Sequence, residues 1–300
     1  MSHIAPPIPE WILAQMPPHP YRHMVDVGGY HMHVIEYGSG HPVLMLHGNP
    51  TWGFLYRNIA RSLLGQDFRI ILPDLIGLGF SDKPRSYQAH TLENHITWLG
   101  NLLDHFNLNQ LIFVGQDWGG PIGLGALARK PHLLKGLVIL NTALGPPKPG
   151  FKPAPFHKFA RMPLISQIAF RLLGIPQTIM HRVQGNPDSI KGEVARAYRF
   201  PLKGLDKNIA PHALARMVPD SLDHPSVGPL TKVKEFVEGF QGPAEIIWGK
   251  NDPVLGKLLN RTKRMLPHAN AQETNGGHFL QEEEAERIAD SIRWVASQVY

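Results

Sequence analysis

The stretch Leu111-Ile-Phe-Val-Gly-Gln-Asp-Trp-Gly-Gly-Pro121 constrains this chain more than any other. Leu111 to Val114 are apolar and largely β-type, which predicts a buried strand. Gly115, Asp117, Gly119 and Gly120 follow at once, then a helical run from Ile122 to Arg129. A strand that turns straight into a helix brings its two backbones too close for a Cβ two positions either side of the turn residue. The spacing therefore predicts a sharp corner that holds Asp117 out at the carboxyl edge of a sheet. The usual occupant of such a corner is Ser. A carboxylate there is ionised at neutral pH and can attack carbon without a base. The product would be an ester whose carbonyl belongs to the protein, and only its hydrolysis needs a base. The bland reading is a solvated Asp at a turn, and the corner alone does not decide between the two.

The surrounding chain predicts what sheet this strand enters. Arg22 to Leu46 offers three strand-like runs, broken at Gly28-Gly29, which resembles a two-residue hairpin, and at Gly38-Ser-Gly40. The third run, Pro42 to Leu46, is continuously apolar, as in a strand covered on both faces. A helix is expected over Trp52–Leu64, a strand over Phe68–Leu72, a helix over Thr91–Phe106 and, after the corner, a strand over Gly136–Leu140. Past Asn141 the rhythm breaks into a Pro-rich passage and helical pieces, with no convincing strand until Glu245. It resumes with a strand over Ala244–Trp248, a helix over Gly256–Leu266, a short run Ala269–Glu273 and a last helix from about Gln281 to Val299. Strands alternating with helices predict an α/β fold with a mostly parallel central sheet, helices on both faces and right-handed crossovers. Residues 1–142 and 227–300 are expected to form one core and residues 143–226 an inserted helical cap, or lid. No internal repeat is visible.

Three hundred residues suffice for such a core. The absence of Cys excludes disulfide scaffolds, zinc–thiolate sites and thiol catalysis, and suits a reducing compartment. Met1 to Pro20 lacks the charged-then-apolar pattern of a signal peptide, and no apolar run reaches about 18 residues. The expectation is a cytoplasmic protein without a transmembrane segment. The formal charge of +6 is uneven: residues 143–226 carry twelve Lys/Arg against five Asp/Glu. These cations are scattered through apolar sequence without interleaved aromatics, which argues against nucleic-acid binding.

Chemistry-bearing residues follow the predicted strands, where functional side chains of a parallel sheet converge. They are His47-Gly48-Asn49-Pro50, Asp117-Trp118, Asn251-Asp252 and Asn275-Gly-Gly-His278. Nucleophile, acid, histidine is the chain order of an α/β-hydrolase triad. His278 could take a proton from water at the ester, and Asp252 could orient its ring and stabilise the imidazolium. Singly, His278 is one of seventeen histidines and Asp252 is a plausible helix cap; the ordered set of three outweighs both plain readings.

Three motifs, His47-Gly-Asn-Pro-Thr-Trp52, Pro73-Asp-Leu-Ile-Gly-Leu-Gly-Phe-Ser-Asp-Lys-Pro84 and Gly115-Gln-Asp-Trp-Gly-Gly120, together resemble the haloalkane dehalogenases of the α/β-hydrolase fold. The likeness is close from about Val25 to Leu140, extends through Asp252 and His278, and covers the insertion only in size and position. It implies that Asp117 displaces halide from carbon and that His278-activated water hydrolyses the ester. It also implies halide donors at Asn49 and Trp118, whose backbone N–H groups would form the oxyanion hole. An amide and an indole N–H are neutral donors suited to developing negative charge. One dehalogenase group has a halide-binding Trp in the lid, but the six Trp here are at 11, 52, 98, 118, 248 and 294. A second group has a Glu after the fifth strand, where this chain has Asn141. Asp–His–Asp with an Asn–Trp pair is similar to the third group, itself similar to β-lactone decarboxylases of olefin biosynthesis that release an alkene and carbon dioxide with the same Asp.

Dehalogenation is the leading expectation and β-lactone decarboxylation the alternative. Epoxide hydrolases share the Asp but use two lid Tyr, and this insertion holds only Tyr198. A catalytically silent binding protein would be expected to lack a triad or donor residue, and none is missing. The implied partners are a small apolar substrate (a halogenated alkane or β-lactone), water and product halide; no metal or organic cofactor is implied. Oligomerisation or association with pathway enzymes stays open. Within the insertion, Phe159 to Leu173 is apolar with Arg at intervals, the pattern of a lid helix lining an apolar pocket or, alternatively, of a membrane-contacting surface.

Overall fold

The computed structural model describes residues 3–300. Nine strands form one sheet: β1 (His3–Ile4), β2 (Tyr21–Asp26), β3 (His31–Tyr37), β4 (His41–Leu46), β5 (Phe68–Pro73), β6 (Leu111–Gly115), β7 (Leu134–Ile139), β8 (Ala244–Gly249) and β9 (Asn270–Thr274). Their spatial order is β1-β2-β3-β5-β4-β6-β7-β8-β9. The first three strands and the β3–β5 pair are antiparallel, and β5 to β9 are parallel throughout. β2 and β3 are joined at Gly28-Gly29, both with positive φ, flanked by the Val27 N–H to Tyr30 carbonyl bond. This is the two-residue hairpin that the paired glycines predict.

Side chains alternate between two cores. Leu44 and Leu46 of β4, with Leu111 and Phe113 of β6, pack on one face against the helices Leu92–Phe106, Gly119–Ala128 and Val227–Gly239. Val43, Met45, Ile112 and Val114 pack on the other against the helices Arg57–Leu63 and Ala285–Val299. A strand covered on both sides cannot show alternating polarity, which is why β4 and β6 read as unbroken apolar runs. Each fully buried side chain of this size contributes about 1.5–3 kcal/mol through removal from water. Ile8, Ile12 and Met16 of the Pro-rich leading stretch also join the second core, while Met1 and Ser2 lie outside the described residues.

Helix starts differ most from expectation. The Trp52–Leu64 run is a 3-10 turn, Gly53–Tyr56, followed by a helix from Arg57, because the Gly53 N–H is drawn to Asp74 Oδ1 at 2.7 Å. The last helix starts at Ala285, since a 3-10 turn over Leu280–Glu282 delivers Glu282 into a buried ion pair with Arg57. The helix after the corner starts at Gly119 rather than Ile122, directly after Trp118.

Between β7 and β8 no strand occurs. Residues 150–226 form short helices, Pro155–Ala160, Ile165–Arg171, Gly192–Arg199 and Ile209–Arg216, joined by turns. The Trp52 indole N–H donates to the Ala197 carbonyl, and the buried Tyr198 hydroxyl donates to Glu282. No helix among the described residues is long and apolar enough to cross a membrane.

The corner helix is packed without slack: a Cβ at Gly123 would lie 2.0 Å from Cζ of the Phe113 ring. Ala favours a helix over Gly by about 1 kcal/mol. Overpacking a rigid core typically costs about 1–3 kcal/mol and here falls at the high end, because the ring is fully buried. Gly123→Ala is therefore expected to lower thermal stability by about 1–2 kcal/mol net in an unfolding melt; an unchanged or higher Tm would show that the ring has room to move.

Candidate active site

The corner has the geometry its glycines predict. Asp117 adopts φ 49°, a left-handed conformation that side-chain-bearing residues rarely take. A Cβ at Gly119 would lie 2.1 Å from the Leu46 carbonyl oxygen, so only Gly lets the helix start pass the end of β4. Main-chain bonds lock the turn: the Asp117 N–H donates to the Asn141 carbonyl at 2.8 Å, and the Thr142 hydroxyl donates to the Asp117 carbonyl at 2.6 Å.

The two carboxylate oxygens of Asp117 have different partners. Its Oδ1 accepts the backbone N–H of Asn49 at 3.1 Å and that of Trp118 at 2.5 Å. Trp118 immediately precedes the ten-residue Gly119–Ala128 helix, so free N–H groups and the helix dipole favour negative charge there. Oδ2 lies 3.3 Å from His278 Nε2. On the far side of the ring, His278 Nδ1 is 2.9 Å from Asp252 Oδ2. Three residues carried beyond the ends of three strands thus meet in one line, buried at Asp252 and His278 and partly exposed at Asp117.

His278 is held between two carboxylates. Burial alone disfavours the imidazolium, but Asp252, then Asp117, overcome it and push the ring up to about 10. Asp252 is moved the other way. Burial opposes its charge, yet His278, the Asn141 amide and the Val254 N–H hold its carboxyl below the usual range. The folded value for His278 lies above its ordinary 6.5. Its contribution to stability is therefore full below about pH 6.5 and is lost as pH rises through about 10.

Several further residues support this line. Asn141 spends its whole amide: Nδ2 donates to Asp252 Oδ2 at 2.8 Å and to the Gly249 carbonyl at 3.0 Å, while Oδ1 accepts the Gly249 N–H at 2.8 Å. Its position directly after β7 was the available clue. The main chain of His278 is gripped from both sides, its N–H by the Val183 carbonyl at 2.8 Å and its carbonyl by Gln116 Nε2 at 2.9 Å. Gln184 adds a two-way clasp on Phe279. His47, buried and kept neutral by that burial, accepts the Leu75 N–H at Nε2 and faces the Gly48 carbonyl with Nδ1, bracing the loop that presents Asn49.

The two expected anion donors differ. The Trp118 indole N–H has no acceptor among the described residues. Asn49 Nδ2 donates one hydrogen to the Pro211 carbonyl, at the start of the Ile209–Arg216 helix, at 2.9 Å. Its second hydrogen has no protein acceptor among the described residues.

A family model for the alpha/beta hydrolase fold matches residues 41–285. A haloalkane dehalogenase from Mycobacterium marinum is 30% identical over 282 residues, covering 90% of this chain and 92% of that protein. A cis-3-alkyl-4-alkyloxetan-2-one decarboxylase from Shewanella oneidensis is 33% identical over 278 residues, covering 91% and 87%. The crystal structure of a haloalkane dehalogenase from Agrobacterium tumefaciens C58 superposes with a TM-score of 0.84 at 26% identity, covering 95% of this chain and 99% of that one. The chain belongs to the α/β-hydrolase family and, within it, to the group formed by the haloalkane dehalogenases and the related oxetanone decarboxylase. It is an enzyme of hydrolase type.

Since Asp117 is one of the two charges that raise His278, neutralising it should lower the ring. In Asp117→Asn, His278 is expected to titrate nearer neutrality than about 10, read by NMR of the ring nitrogens. An unaltered titration would mean that Asp252 alone sets the proton affinity.

Proposed function

We propose that this enzyme hydrolyses haloalkanes to alcohol and halide through a covalent ester on Asp117. The observation that carries this reading is the division of the Asp117 carboxylate, with Oδ1 in two backbone N–H groups and Oδ2 left to react. In the first step an Oδ2 lone pair forms the bond to carbon as the carbon–halogen bond breaks. The bonding pair departs with halide, received by the Trp118 indole N–H and the remaining Asn49 amide hydrogen. In the second step water loses a proton to His278 Nε2 and attacks Cγ of the ester. The oxyanion at Oδ1 stays in the same two N–H groups. Its collapse breaks the Cγ–Oδ2 bond, and the departing alkoxide takes the proton from His278 to leave as alcohol. The water oxygen remains in the regenerated Asp117 carboxyl group, whose proton returns to the ring.

The proton affinity of His278 suits this order. In the free enzyme the Asp252 and Asp117 charges together keep the ring protonated, which is harmless because the first step needs no base. Esterification removes the Asp117 charge, so the ring releases its proton more readily at the stage where a base is required. Asp252, with Asn141 behind it, stabilises the imidazolium formed during hydrolysis.

Residues 143–226 act as a cap over this centre in the same reading, with residues 1–142 and 227–300 as the core. Pro211 of the cap sits on Asn49, and Val183 and Gln184 hold the His278 loop. An epoxide hydrolase would need cap tyrosines for the epoxide oxygen, whereas Tyr198 is buried against Glu282.

The second reading is β-lactone decarboxylation with the same Asp117 nucleophile, favoured by the 33% identity to the Shewanella oneidensis enzyme. Paired turnover separates the two: halide release from 1,2-dibromoethane and 1-bromobutane against alkene formation from a long-chain β-lactone, by wild type and by Asp117→Ala. The expected result is halide release that falls by at least about a thousandfold in the variant. Alkene formation without halide release would overturn the dehalogenase assignment in favour of the lactone. His278→Phe is expected to accumulate the alkyl ester, visible as added intact mass after exposure to a bromoalkane. An unmodified variant would sink the two-step mechanism.

A further inference from the structure

The Phe159–Leu173 stretch is divided by its helix into two apolar faces. In Ile165–Arg171, Ser166, Ala169 and Phe170 point inward, and Phe170 stacks on His212 with ring centroids 4.5 Å apart. Ile165, Ile168 and Leu172 recur at the spacing of one helix face and point outward, 56%, 53% and 61% exposed. Met162, Leu164 and Leu173 extend the same face, and Leu164 is 72% exposed. Leu164 also holds φ 59°, a strained conformation for a branched side chain, so an apolar residue is displayed at a backbone position that does not favour it. Apolar residues exposed together in this number mark an interaction surface rather than ordinary scatter.

Cations outnumber carboxylates around this face. No Asp or Glu occurs between Asp117 and Asp188, while Arg161 and Arg171 lie in the exposed stretch, Lys158 immediately precedes it on a helix packed against it, and Lys148 and Lys152 stand earlier in the chain. Arg161 and Arg171 pair with Asp220 and Asp206. Lys148, Lys152 and Lys158 are exposed and have no carboxylate partner among the described residues. Phe151 stands exposed between the first two lysines.

We propose that this face docks the enzyme onto an anionic lipid surface. Apolar side chains with flanking cations match the two layers of a bilayer boundary, acyl chains below and acidic headgroups above. A second copy of this chain would bring like charge against like charge, which disfavours that occupant. The inference does not depend on which substrate the active site takes, although either greasy substrate would partition into the same surface.

Flotation with vesicles of phosphatidylcholine containing phosphatidylglycerol, against pure phosphatidylcholine, tests it. Wild type is expected to float with the anionic vesicles only and to dissociate as salt is raised. Ile168→Asp with Leu172→Asp should reduce binding at least about tenfold. Lys148→Glu, Lys152→Glu and Lys158→Glu combined should reduce it by roughly a hundredfold, at about fivefold per lysine removed. All five positions are exposed, so matching circular-dichroism melts verify folding independently. Failure of wild type to float, or flotation of both variants equal to that of wild type, overturns the proposal. So does a wild-type dimer that Ile168→Asp with Leu172→Asp makes monomeric without any vesicle binding, since a second copy would then own the face.

Discussion

The site depends on one imidazole held between two carboxylates. His278 lies 3.3 Å from Asp117 and 2.9 Å from Asp252, and the fold spends many of its polar contacts on keeping it there. Burial by itself would expel a proton from the ring; the paired charges retain it. Because one of the two charges sits on the proposed nucleophile, the proton affinity of the proposed base is coupled to the covalent state of its neighbour. A single ion pair thereby links the two half-reactions proposed for the enzyme.

That arrangement rests on the sheet. β4, β6 and β8 end at one edge, and Asn49, Asp117 and Asp252 are carried on the connections that leave it. Asn141, following β7, ties the edge together, with its carbonyl on the Asp117 N–H and its amide on Asp252. The His278 loop is fastened by Gln116 from the corner and by Val183 and Gln184 from the segment above. Val183 and Gln184 thus tie the segment between β7 and β8 to the proposed base. At its other end it presents an apolar, basic face to solvent.

Much of this was legible in the chain. The unbroken apolar runs of β4 and β6 follow from burial on both faces, and the corner glycines follow from backbone approach, so both leave a mark in composition. Helix starts were less legible. The Gly53 N–H answers to Asp74 and Glu282 to Arg57, partners distant in sequence that no local pattern reveals. The Phe159–Leu173 stretch shows the same limit. Its apolarity is plain, yet which residues turn inward is set by packing on the Ile209–Arg216 helix.

Sequence alone determined the residue types and their order: an ionisable side chain at a glycine-flanked corner, an acid and a histidine after later strands, and the sheet that brings strand ends together. Those features are local, because spacing and side-chain size act over a few residues. Tertiary structure decided the proton affinity of His278, the commitment of Asn49 to Pro211, the role of Asn141 and the outward face of the helical segment. Each of these depends on distances between groups far apart in the chain, and electrostatic and hydrogen-bond energies fall off too steeply with distance to be read from order alone.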